Sequence, residues 1–135
     1  LTQIKLDYDM ITTRDIELIF NHRGWLMKYF GYYNLETTET QKGYHVRFNT
    51  IKYVADDDVL LLQILLGSDI QREIYNFIRK YEGLKIETWN KLYTKKLILL
   101  RTAIIEERPT EQHCQVLWDR IKRALENCRE LEGCI

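Results

Sequence analysis

The sequence predicts an α+β domain of the split βαβ kind: an antiparallel sheet packed with helices, followed by a helical C-terminal extension. Three observations carry that expectation. Residues 3–11 and 44–51 alternate apolar and polar side chains, as half-buried strands do. The stretch after Thr12 instead spaces its apolar residues broadly as a helix does, and those after Ala55 and Ser68 run to helix stops at Gly67 and Gly83. Beyond Leu97 only the helical pattern remains.

The first strand, QIKLDYDMI, sends Ile4, Leu6, Tyr8 and Met10 to one face and Lys5, Asp7, Asp9 and Ile11 to the other. Thr12 or Thr13 then caps a helix whose apolar positions are Ile16, Ile19, Phe20, Met27 and Phe30; Gly24 and Gly31 place its end near Arg23 or Tyr29. YYNLETTET and YHVRFNTI are two further strands joined by a turn at Gln41-Lys42-Gly43. A helix follows from the Asp56–Asp58 run, whose carboxylates suit its N-terminal dipole, to Gly67. Another spans about Asp69 to Tyr81 and stops at Gly83. A fourth strand is expected around Lys91 to Lys95, then helices over Leu97–Glu107 and after Pro109-Thr110. In the last of these, Cys114, Leu117, Ile121, Leu125, Cys128 and Leu131 form a seam that packs on the chain's own sheet or on a second copy, giving a homodimer through the C-terminal helix. The whole reads as a single domain over 1–135, with the core to residue 96 and the extension over 97–135.

Composition narrows the function classes. The chain has 135 residues, 45% of them hydrophobic, enough for a real core. Twenty basic residues balance twenty acidic ones, so any site for a polyanion must be local. No run approaches the roughly 18 to 20 apolar residues of a membrane span, and no signal-peptide pattern opens the chain. No membrane partner is expected, and the location is intracellular. Three cysteines without a CxxC pair argue against structural zinc and for a reducing compartment.

The candidate chemistry lies on the first and third strands. Asp7 and Asp9, two positions apart, project carboxylates from one face about 7 Å apart, where one hard divalent cation could bridge them. First and third strands are neighbours in a split βαβ sheet, so His45 sits beside the pair if it shares their face; Lys42 and Arg47 flank it, Arg47 on the same side. Carboxylates, an imidazole and nearby cations suit metal-dependent chemistry on a nucleotide. A second region, from Arg79 to Lys96, interleaves Arg79, Lys80, Lys85, Lys91, Lys95 and Lys96 with Tyr81, Trp89 and Tyr93, a composition that suits DNA or RNA binding by phosphate neutralisation and stacking. The nucleic-acid contacts expected there are Arg79, Lys80, Lys91, Tyr93, Lys95 and Lys96, with Trp89 an alternative core residue. His22 and His113 have no such context.

DYD on a first strand followed by KGYHV on a later one resembles the archaeo-eukaryotic primase superfamily. The core of that family is an RRM-like sheet with an acidic DxD-type motif, a Ser-x-His motif commonly written SGxGYHV, and a third acidic position. LLGSDIQREIYNFIRKYEG and WNKLYTKK are also similar to the downstream part of small archaeal and mobile-element proteins with the same signature. The likeness runs over about residues 4 to 96; Thr40-Gln41 stands where the family often has Ser-Gly, and the segment REIYNFIR holds Asn76, leaving Asp69 and Glu73 for the third acid. The resemblance implies that Asp7, Asp9 and His45 are catalytic, that Asp7 and Asp9 bind Mg2+ or Mn2+, and that His45, Lys42 and Arg47 hold nucleotide phosphates. The implied reaction is nucleotidyl transfer to a 3′ hydroxyl in DNA replication, in the cytoplasm of an archaeal cell or of the host of a virus or plasmid. The alternatives are a noncatalytic DNA- or RNA-binding protein of the same fold and a dimeric interaction protein.

Overall fold

In the computed structural model, which describes residues 2–92 and 111–127, strand β1 (Thr2–Asp9) lies antiparallel to β3 (Gly43–Thr50), and β3 antiparallel to β2 (Tyr32–Glu39). The order β1-β3-β2 makes first and third strands neighbours, as expected. Their register sets Ile4, Leu6 and Tyr8 opposite Phe48, Val46 and Tyr44, all buried, while Lys5, Asp7 and Asp9 face Arg47, His45 and Gly43 on the other side. Gly43 permits the closest approach. A Cβ there would sit 1.8 Å from the Tyr8 carbonyl oxygen, so any side chain would push β3 off the aspartate end of β1.

Between β1 and β2 run α1 (Thr13–Arg23) and α2 (Trp25–Phe30). Thr12 caps α1 in a reciprocal box: its hydroxyl accepts from the Asp15 N–H, and the Asp15 carboxylate accepts from the Thr12 N–H. Helix α1 ends at Arg23, the first of the two ends expected, and what departs from expectation is the short α2 that follows Gly24, whose N–H still bonds to Phe20 C=O. Met10 also departs from expectation. Its φ of 60° ends the strand after Asp9 and leaves the side chain exposed, so the alternation does not run on through residue 11.

Helices α3 (Asp56–Leu65), α4 (Ile70–Tyr81) and α5 (Ile86–Trp89) follow β3, and α6 (Glu111–Asn127) packs on α1, α2 and β2. Leu117, Ile121 and Leu125 of α6 join the same buried core as Ile4, Phe20, Phe48 and Trp89. The C-terminal seam is therefore intramolecular along its described length; the Cys114 side chain, Cys128 and Leu131 lie outside the described residues, as do the helix expected over Leu97–Glu107 and most of the fourth strand. Lys91 and Leu92, the described part of that strand, are not in a strand. No helix among the described residues is long and apolar enough to cross a membrane.

The edge of β1 away from β3 is closed by side chains and loop. Lys5 N–H donates to Gln63 Oε1 (3.1 Å), Asp7 N–H to Ser68 Oγ (3.0 Å), and the carbonyls of Lys5 and Asp7 accept from Arg72 Nη1 (2.9 Å) and Asp69 N–H (2.6 Å). With both backbone groups of both residues engaged, no strand can pair with β1 there. What stands is an α+β domain with a three-stranded antiparallel sheet.

Candidate metal centre

Asp7 and Asp9 leave β1 on its polar face, as the alternation requires, and the closure of the β1 edge brings a third carboxylate to them. Asp69 precedes α4, donating its N–H to Asp7 C=O while its side chain accepts from Arg72 N–H at the helix start. Ligand oxygens of Asp7, Asp9 and Asp69 lie within 4.8 Å of one another, and all three residues are half-buried.

His45 lies directly across the ladder from Asp7, with Nε2 3.2 Å from Asp7 Oδ1. The imidazole is 2% exposed. Its Nδ1 has no hydrogen-bond partner among the described residues, and no well-aligned donor reaches Asp7 Oδ1. A buried carboxylate oxygen lacking a donor is costly, and a cation coordinated there would relieve it. The donor set, three carboxylates beside an imidazole, therefore suits a divalent metal that prefers oxygen ligands.

Electrostatics describe the same crowding. Burial works to raise the Asp7 carboxyl, but the His45 imidazole 3.2 Å away, together with Asp9, holds it below its ordinary range. Asp9 is pushed up to about 6, first by burial and then by the negative charge of Asp7, with Asp69 adding to it and Lys42 opposing. Such a split between neighbouring acids is what close carboxylates produce when no cation lies between them.

Behind the acids lies a buried polar network. Glu73 forms a short ion pair with Arg72 and accepts from Ser68 Oγ (2.9 Å) and Gln63 Nε2 (2.9 Å). Arg72 also donates to Asn90 Oδ1 (2.9 Å) and to Lys91 C=O (2.9 Å). Ser68, which accepts from Asp7 N–H, thus hangs from Glu73, and the acidic cluster inherits its position from α4.

The sequence places Asp7, Asp9 and His45 together, and so does the structure. Lys42 sits in the hairpin turn, its carbonyl accepting from Met10 N–H, with its charge acting on Asp9. Arg47 lies two positions beyond His45 on the same face, opposite Lys5, whose ammonium is lowered by burial and by the charges of Arg47, Arg72 and Lys91. Of the expected nucleic-acid contacts, Arg79, Lys80 and Lys91 lie among the described residues. Arg79 bonds to Asn76 (3.3 Å), Lys80 pairs with Asp57 on α3 (2.5 Å), Lys91 is exposed after α5, Trp89 is core, and Tyr93, Lys95 and Lys96 lie outside the described residues. Of the two acids left for the third position, Asp69 is the one at the cluster, while Glu73 faces the network with Asn76. Lys5, on the same face as Asp7, was readable from the alternation; the network residues Gln63, Ser68, Arg72 and Asn90 carried no such signal. The chain matches no family model, no curated protein and no solved structure.

Proposed function

We propose that this domain binds a divalent cation, Mg2+ or Mn2+, on Asp7, Asp9 and Asp69 and uses it to hold the phosphates of a nucleotide, in the manner of a minimal primase-like protein. The observation that carries this reading is the convergence of Asp69 on the Asp7–Asp9 pair beside a buried imidazole with an unpartnered nitrogen. On this reading His45 steers Asp7 and contacts phosphate, while Lys42 and Arg47 supply positive charge on either side. A bound cation there would neutralise phosphate oxygens and stabilise charge that develops in nucleotidyl transfer to a 3′ hydroxyl. The strand order β1-β3-β2, with the acids and His45 on facing positions, supports a likeness to the RRM-like primase core, in which side chains rather than a fourth strand close the β1 edge. The polar sheet face continues onto exposed Glu36 and Thr38 of β2, leaving room for a nucleotide or a DNA or RNA strand. Replication in an archaeal cell or in the host of a mobile element is the setting this reading implies.

The test is calorimetric titration with Mn2+, then with a nucleoside triphosphate in its presence. Wild type should bind the ion, Asp69→Asn should weaken it about tenfold or more, and Asp7→Asn with Asp9→Asn should abolish both ion and nucleotide binding with the fold intact by circular dichroism. Wild type that takes up no Mn2+ refutes the reading. Metal binding without nucleotide binding leaves a cation site and refutes the primase-like assignment.

A further inference from the structure

Helix α4 is turned inside out. The side chains it buries are Arg72, Glu73 and Asn76, while Ile70, Ile74, Phe77, Ile78 and Tyr81 are 46% to 86% exposed. Positions 70, 74, 77 and 81 follow one another at spacings of four, three and four, which forms a straight seam along one helix face. Phe77 and Tyr81 stack on each other within it, ring centroids 6.3 Å apart. The neighbouring helix α3, which packs on α4 and pairs with it through Asp57 and Lys80, also exposes an apolar side chain, Leu61, at 53%.

From these observations we infer that the α4 seam is the contact surface of a homodimer, two copies crossing about a two-fold axis near Ile74 and Phe77. Six large apolar side chains left about half in water expose on the order of 600 Å2. That is at the upper end of the ~300–600 Å2 patch found on monomers, and near the ~800 Å2 that each partner contributes to a standard interface. The seam complements itself, since antiparallel crossing places Ile70 against the partner's Tyr81 and Ile74 against the partner's Phe77, with the axis between them. It carries no charge that would oppose pairing, and Lys80, which borders it, is already neutralised by Asp57. The contact differs from the one expected at the C-terminal helix, whose described apolar stripe is buried in the chain's own core. The seam begins at Ile70 beside Asp69, but Phe77 and Tyr81 lie two and three turns further along α4, so the contact can be tested there apart from metal binding.

Sedimentation equilibrium of the full chain at about 50 µM should give twice the chain mass of 16.4 kDa. Phe77→Asp should raise the dimer dissociation constant by about 30-fold or more while retaining the far-ultraviolet spectrum and Mn2+ binding of wild type. Tyr81→Glu, at the seam's most exposed position, is the second variant should the first fail to fold, and it should shift the equilibrium in the same direction. A wild type at the monomer mass overturns the proposal; hydroxyl-radical labelling of Phe77 and Tyr81 then distinguishes a surface in water from one covered by residues 93–110. Folded variants that stay dimeric overturn it as well, by moving the contact elsewhere.

Discussion

Helices α4 and α6 carry apolar stripes of similar regularity and turn them in opposite directions. In α6, Leu117, Ile121 and Leu125 are wholly buried, and Lys122 and Arg123 face water. In α4 the ions and amides go inward and the isoleucines outward. The difference lies in what each helix packs upon. The α6 stripe meets α1 and β2 over the apolar face of the sheet, where only hydrocarbon is needed. The polar side of α4 meets the open edge of β1, where the amides and carbonyls of Lys5 and Asp7 require hydrogen-bond partners that Gln63, Ser68, Asp69 and Arg72 supply. Helical periodicity thus reveals that a stripe exists, and the neighbour decides which side of the helix turns inward.

The largest expected effect tests that contrast directly. Ile121→Asp places a carboxylate at a fully buried position and should lower stability by more than about 4 kcal/mol, by lost packing together with an unpaired charge. The same change at Ile74 should alter the stability of the monomer by about 0.5 kcal/mol or less, since that side chain is already half in water. Urea unfolding of both variants at low protein concentration measures the difference. If Ile74→Asp were the more damaging of the two, the inverted orientation of α4 would be wrong.

Next in size is the charged interior of α4. Arg72→Met keeps much of the volume but withdraws the donors to Lys5 C=O, Lys91 C=O and Asn90 and leaves Glu73 buried without its cation. Removing one member of a buried pair costs about 3–5 kcal/mol. Adding Glu73→Gln should recover part of that loss, because the uncompensated charge goes while the contacts to Ser68 and Gln63 can be kept. Faster amide exchange at Lys5 and Asp7 in the single variant would show that β1 depends on α4 for its edge. Unchanged exchange would detach the network from the acid site.

These two helices also mark how far the sequence could be read. Alternation located β1 and β3 to within a residue or two, the Thr- and Tyr-rich run before the Gln41-Lys42-Gly43 turn located β2, and Thr12 was one of the two caps expected for α1. Asp7, Asp9 and His45 were legible as a group because pairing across an antiparallel ladder follows from alternation plus strand order. Asp69 stood with Glu73 as one of two acids left for the third position, and the sequence did not choose between them, since Asp69 reaches the pair through one backbone hydrogen bond from the α3–α4 turn, a tertiary contact that leaves no periodic trace. Met10 continued the alternation in letters but not in space, because a positive φ turned the chain away. The inward side of α4 was hidden for a different reason: a rule that sends apolar residues to the core assigns Ile70, Ile74 and Phe77 there, and only the unpaired edge of β1 overrides it.

The smallest effect is a pH dependence of the acid cluster that α4 holds in place. Asp9, at the α4 end of the molecule, has its carboxyl raised from 3.8 to about 6 in the folded chain, so the folded state holds that proton more tightly than the unfolded state does. Its contribution is therefore fully favourable below 3.8 and is lost as pH rises through about 6. Asp7, lowered in the folded chain, acts in the other sense: its stabilising contribution is present above its ordinary value and disappears only in acid. Between pH 4.5 and 6.5, in chelator, Asp9 should dominate, and the melting temperature should fall by roughly 3 °C, a modest figure because the carboxyl is only half-buried. Excess Mn2+ should cancel or reverse the fall by favouring the ionised acids, and Asp9→Asn should flatten it. A melting temperature level from pH 4.5 to 6.5 in chelator would mean that the three carboxylates are farther apart in solution than their 4.8 Å grouping, and the cation site would lose its electrostatic basis.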